Sequence, residues 1–224
     1  MKIYIVLFLL LITSCKNGNK KPIANVTNVD TTTVEVKENL PITEPLEEEQ
    51  PNNFNVVIEK VRGDLNKDGI ADLVSVKQDT VNDNRPYRLQ AYLSQPNRKL
   101  KLILSSDSAI VVRYPNGKYN AVNDAPFTGI EIKKGTLIIS HELTRGSFSH
   151  QFRYQNKKFE LIGFRSASVS GGMIEETDFN LSTGDKVITH TTIGNDKILD
   201  KTKSKELIKY LPNLTVFEPY TFMY

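Results

Sequence analysis

The chain has 224 residues, with 29 Lys and Arg against 26 Asp and Glu, and 39% of its residues are hydrophobic. The formal net charge of +3 comes with no dense Lys/Arg block interleaved with aromatics, which argues against a nucleic-acid groove. A single cysteine rules out an internal disulfide framework and a cysteine-built zinc site.

Lys2 is followed by the ten-residue apolar run Ile3–Ile12, the charged start and short apolar region of a secretory signal. As a helix this run extends about 15 Å, roughly half the thickness a spanning helix must cross. Thr13 and Ser14 supply the small residues a peptidase needs before a cut. The sequence Ile12-Thr13-Ser14-Cys15 resembles the bacterial lipobox. That resemblance implies that residues 1–14 are a lipoprotein signal peptide. It also implies that the Cys15 thiol carries diacylglycerol and that its freed amine carries a further acyl chain such as palmitate. Several acyl chains hold a protein to a membrane far more firmly than one. Lys16 follows the cysteine, in place of an aspartate that resembles an inner-membrane retention signal. The expectation is a bacterial cell-envelope lipoprotein in the outer membrane, facing the periplasm or the exterior.

Residues 15–53 read as the lipidated cysteine and a disordered tether. Pro22, Pro41, Pro45 and Pro51, the run Thr31-Thr32-Thr33 and the cluster Glu47-Glu48-Glu49 leave little apolar surface to offset ordering entropy. A segment that folds on a partner is the competing reading. Residues 16–53 hold four Lys against seven Asp or Glu, and only Lys2 precedes them, so residues 54–224 carry +5. That last stretch is one domain's worth of chain.

From Phe54 onward the pattern is β. Val56-Val57-Ile58, Leu73-Val74-Ser75-Val76, Leu89 to Leu93 and Leu100 to Leu104 are short β-prone runs between polar turns. Three hairpins follow, turning at Lys133-Lys134-Gly135, at Gln155 to Lys158 and at Ser182 to Asp185. Hairpins at this spacing predict an all-β domain over residues 54–224, an antiparallel meander or sandwich, or a few-bladed propeller-like arrangement. One short C-terminal helix is expected. Thr202 would cap it, Leu207, Ile208 and Leu211 would face the sheet, and Pro212 would stop it.

Metal chemistry is suggested by residues 64–72, Asp64-Leu65-Asn66-Lys67-Asp68-Gly69-Ile70-Ala71-Asp72. Oxygen ligands on alternate residues let a tight loop converge them on one cation, Gly69 permits the sharp turn, and hard oxygen donors suit Ca²⁺ better than Mg²⁺. An EF-hand needs an acidic bidentate ligand at its twelfth position, where Ser75 stands, and flanking helices, where strands are predicted. The stretch Gly63 to Val76 instead resembles the calcium loop of FG-GAP or VCBS-type repeats, in which a strand follows the loop directly. That resemblance implies Asp64, Asn66, Asp68, Ile70 through its carbonyl, and Asp72 as ligands of a structural Ca²⁺. Farther on, Phe127 to Ile132, Phe152 to Asn156, Phe159 to Gly163 and Phe179 to Gly184 are similar to segments of bacterial lipoproteins with such a loop, a likeness that implies no activity.

No catalytic set stands out. His141, His150 and His190 lie at or near predicted strands without metal-ligand spacing. Gly146-Ser147-Phe148-Ser149-His150 lacks the second glycine of a nucleophile elbow, and adjacent His141 and Glu142 point to opposite faces of a strand. Residues 168–172 read as a hairpin tip. The leading functional reading is a non-enzymatic binding or accessory module for a protein or glycan partner, with contact loops around Arg145, Ser147, Ser170 and Met173. The alternative is an envelope-polymer hydrolase of glycosidase type, drawing on Asp124, Glu131, Glu142 and Asp178, whose carboxyls would have to stand about 5 to 10 Å apart.

Overall fold

The structure, a computed structural model, describes residues 53–117, 126–195 and 197–224. The stretch expected to be a signal peptide, Cys15, the expected tether as far as residue 52, and Asp124 lie outside the described residues.

Two antiparallel meanders make the domain, and strands adjacent in sequence are neighbours in each. The smaller sheet runs β1 (Val56–Gly63), β2 (Asp72–Gln78), β3 (Tyr87–Ser94) and β4 (Leu100–Ser106). The larger has seven strands: β5 (Phe127–Lys133), β6 (Thr136–Leu143), β7 (Gly146–Gln155), β8 (Lys158–Ser170), β9 (Met173–Asn180), β10 (Asp185–Thr192) and β11 (Ile198–Lys205). The expected all-β antiparallel meander is therefore the architecture. All three expected hairpins form.

The local reason lies in the turns. Lys134-Gly135, Asn156-Lys157 and Gly171-Gly172 each place two consecutive residues at positive φ. That is the turn whose twist matches the twist of paired strands. Gly171-Gly172 also explains why the hairpin tip expected at 168–172 is so short: β8 continues to Ser170 and pairs it directly with Met173.

The core is shared by the two sheets. Val74, Val76, Leu89, Ala91 and Leu104 from the smaller sheet join Leu137, Ile139, Phe148, Phe152, Phe164 and Phe179 from the larger in one buried cluster. Their alternation along each strand is what points one face inward. The sheets meet edge to edge at β1 and β5, where the Glu59 carboxylate accepts the Ile130 N–H at 2.9 Å. Gly63 allows this approach, since a Cβ there would lie 2.5 Å from the Ile132 side chain.

The C-terminal helix is placed differently from the expectation. Thr202 sits inside β11 opposite Ile188, Leu207 is 77% exposed, and Ile208 and Leu211 pack partly buried against the core without a helix. Asp200, Thr202 and Ser204 are instead paired into a ladder with β10, and the apolar stripe of Leu207, Ile208 and Leu211 is too short to hold a helix to the sheet. Among the described residues the helical ones are two 3-10 turns, Leu214–Val216 and Pro219–Phe222. They belong to a strap that closes the core. The Pro212 carbonyl accepts the Leu161 N–H at 2.8 Å, and the Phe217 carbonyl accepts from Ser108 Oγ at 2.8 Å. The Phe217 ring meets Phe152 edge-on at 4.9 Å, and Tyr224 meets Phe179 at 5.0 Å.

Candidate functional site

The loop between β1 and β2 wraps on its own side chains. Asp64 Oδ1 accepts the N–H groups of Lys67 at 2.6 Å and Asp68 at 3.1 Å, and Oδ2 accepts that of Gly69 at 2.9 Å. Asn66 Oδ1 takes the same Asp68 N–H, also at 3.1 Å, so side-chain oxygens two residues apart converge on one atom. The Asn66 amide donates to Asp68 Oδ2 at 2.8 Å, and Asp68 Oδ1 accepts the Ile70 N–H at 2.8 Å. Lys67 and Gly69 adopt positive φ, the tight curvature that brings alternate residues inward.

Asp72 does something the sequence reading did not include. It is fully buried, and its two oxygens accept the N–H groups of Leu65 at 2.8 Å and Ser94 at 2.9 Å. The carboxylate thus ties the loop to the end of β3. Burial pushes its carboxyl up from the ordinary range and the charge of Asp68 adds to this, against the pull of the Ser94 and Leu65 N–H groups. The donor set is all oxygen, which fits a hard cation. Among the described residues no three His, Cys, Asp or Glu side chains gather into a metal-holding group by themselves. A cation at this loop would therefore also draw on the Asn66 amide oxygen and the Ile70 carbonyl, and on oxygen lone pairs that the loop N–H groups leave over.

A second feature lies on the face of the larger sheet turned away from the core. An open depression of about 1210 Å³ spans β5 to β11. Strand register explains it. Ser140, Ser149, Arg165, Asp178 and Val187 form one row across the sheet, and Glu142, Ser147, Ala167, Glu176 and Thr189 form the next. The floor over β6 to β8 is low because Ser140, Ser147, Ser149 and Ala167 are small. Larger side chains stand around it, among them Glu142, Arg145, Arg165, Glu176 and Lys201. Gly146 makes the floor continuous, because a Cβ at its φ of 150° would sit 2.0 Å from the Ala167 carbonyl oxygen.

Across the sheet, His141 and His150 point into the core, 1% and 0% exposed. Glu142, next to His141 in sequence, lines the depression, as strand alternation requires. The His141 ring stacks on Phe148 at 4.8 Å. His141 Nε2 accepts the Val111 N–H at 3.3 Å, and His150 Nε2 donates to the Phe222 carbonyl at 3.0 Å. Neither Nδ1 has a hydrogen-bond partner among the described residues. Burial and the neighbouring His150 lower His141 to about 3, and burial lowers His150 to about 4. His190 stands apart, with Glu175 at 2.9 Å on Nε2 and Asp200 at 3.8 Å on Nδ1. The two acids approach opposite nitrogens and do not converge on one point.

The chain matches no family model, no curated protein and no solved structure. Any functional reading therefore rests on residues and geometry.

Of the expected contact residues, Arg145 and Ser147 line the depression. Ser170 and Met173 flank the Gly171-Gly172 turn at the far end of β8 and β9, outside its lining. Among the acidic candidates, Glu142 and Asp178 reach the depression, and Glu131 sits on β5 with Lys133 at 4.0 Å. Glu142 and Asp178 lie on β6 and β9, three strand spacings or roughly 14 Å apart along the sheet. Asp178 is ion-paired with Arg165 at 3.1 Å, both side chains being more than half exposed. Sequence reasoning missed the floor of the depression. Its signal was present as serines two apart, Ser147 and Ser149, on the polar side of an alternating strand.

Proposed function

We propose that this chain is an exported lipoprotein, held to the cell envelope by lipid on Cys15, whose β domain is a non-enzymatic binding module. In this reading the loop at Asp64, Asn66, Asp68, Ile70 and Asp72 takes a structural Ca²⁺, and the depression on the larger sheet receives the ligand. The observation that carries the binding role is the shape and chemistry of that depression: a small-residue, hydroxyl-bearing floor rimmed by both signs of charge. Such a surface sets hydroxyl and charged hydrogen-bonding groups beside short aliphatic patches such as Ala167 and Val187, which suits an extended glycan with its polar edges and apolar ring faces. The hydrolase reading has less support, because Glu142 and Asp178 are separated by three strand spacings on an open, water-exposed face.

The test is an amide chemical-shift titration of the protein with soluble cell-wall glycan fragments. Shifts centred on Ser140, Ser147, Ser149 and Ala167 are expected, and Ala167→Trp, which fills the floor, should remove them. Binding that leaves those amides unmoved, or that Ala167→Trp leaves intact, would refute the assignment of the site.

A further inference from the structure

The larger sheet ends in an open edge at β11. Among the described residues that strand pairs with β10 alone, and all eight of its residues are exposed. In an antiparallel ladder, successive residues direct their backbone groups to opposite sides. The Glu206 N–H donates to the Gly184 carbonyl, so Asp200, Thr202 and Ser204, in the same phase, face β10. Lys201, Lys203 and Lys205 therefore present their N–H and C=O groups outward. Being two apart, their side chains also share one face, the face of the depression that Lys201 lines. The free hydrogen-bonding edge and a row of three ammonium groups thus fall on the same three residues.

Lys205 reaches Asp185 at 3.3 Å, while Lys201 and Lys203 make no ion pair among the described residues. Lysines on an edge strand oppose pairing with neutral or basic strands. A second copy is disfavoured for the same reason. Two β11 strands related by a two-fold axis would run antiparallel and set lysine against lysine. An extended peptide with acidic residues at alternate positions meets both demands, its backbone completing the ladder and its carboxylates facing the ammonium row. Ile198 and Leu199, 58% and 48% exposed at the start of β11, offer contact to an apolar residue at one end of that peptide.

The geometry points to β11 as a docking edge for an extended acidic segment of a partner protein, added as a further strand. This surface adjoins the depression but does not depend on what the depression binds.

The experiment uses the full chain and a fluorescent peptide alternating Glu with Thr and Val and ending in Leu. Saturable binding is expected, weakening about tenfold from low to physiological salt. Hydrogen exchange should slow at the Lys201, Lys203 and Lys205 amides on binding. The Thr202 and Ser204 amides, already bonded to β10, should change little. The double substitution Lys201→Glu and Lys203→Glu should abolish binding. Lys203→Pro removes one outward N–H without touching the β10 ladder and should weaken it, with the melting temperature reporting that the variant folds. Absence of binding, absence of the alternating protection, or equal binding of the same peptide with a central proline would each overturn the proposal.

Discussion

The Asp72 carboxylate accepts the Ser94 N–H at 2.9 Å while the Ser94 hydroxyl donates to the Ala71 carbonyl at 2.7 Å, a reciprocal clasp between the Asp-rich loop and β3. Asp72 also holds Leu65, which is buried in the core. Replacing it with alanine would leave two N–H groups buried without acceptors, a loss of about 2 to 4 kcal/mol. Urea unfolding of Asp72→Ala should show this, with Asp72→Asn intermediate because it keeps one acceptor oxygen. A loss under about 1 kcal/mol for the alanine variant would mean that water replaces the clasp.

Calcium should raise the melting temperature and chelation should lower it, since a cation held only by the folded loop stabilises by mass action. Asp68 is exposed, so Asp68→Ala should leave the metal-free melting temperature nearly unchanged while removing the calcium response. A calcium shift that persists in Asp68→Ala would place the ion elsewhere.

Acid should weaken the fold through its two buried histidines. Burial holds His141 down to about 3 and His150 down to about 4, against 6.5 for the free side chain. Below pH 6.5 the unfolded chain takes up protons that the folded chain does not. This contribution is therefore fully present above about pH 6.5 and falls as pH drops toward 4 and then 3. At pH 5.5 the loss is about 1.4 kcal/mol per histidine. Protonation would also place an N–H of His141 against the Val111 N–H it now accepts. Unfolding free energies measured from pH 7.5 to 5.5 should carry this slope, and His141→Phe should reduce it by about half. An unchanged slope in that variant would rule out His141 as a source.

Gly146→Ala should be among the more damaging single-atom additions, because the new methyl would sit 2.0 Å from the Ala167 carbonyl oxygen. Gly171→Ala adds a methyl with nothing within 4 Å but at φ 56°, at a cost of about 1 kcal/mol from backbone strain alone. Thermal melts of the two variants should differ in that order.

Cys15→Ser should release the protein from the membrane fraction if lipid on Cys15 is its anchor. Mass spectrometry of the native protein should find acyl chains there. An unmodified serine variant that stays firmly membrane-bound would refute the anchor.

Much of the fold was legible because the hairpins carry local signals. Lys133-Lys134-Gly135 sits between two alternating runs, and the structure turns at that point. β11 was illegible because Asp200 to Lys205 is exposed on both faces, so no apolar period marks it as a strand. The strap hides for a related reason. Phe217 and Tyr224 each meet a ring on the sheet while Phe222 stacks on Phe217 within the strap, and such spacing follows no helix or strand period. At the Asp-rich loop the oxygen pattern could be read from Asp64 to Asp72. That Asp72 also serves as a buried tie to Ser94 depends on a contact 22 residues away, which spacing within the loop does not carry.

The strap has a consequence for the order in which the domain assembles. Within each sheet every strand after the first pairs with its predecessor, so each meander can zip hairpin after hairpin with short loop closures. The bond from Ser108 to Phe217 spans 109 residues, and the one from His150 to Phe222 spans 72. Until residues 212–224 arrive, Phe152, Phe164 and Phe179 lack their aromatic cover. A chain without them bares those rings, the apolar surface that a chaperone would hold.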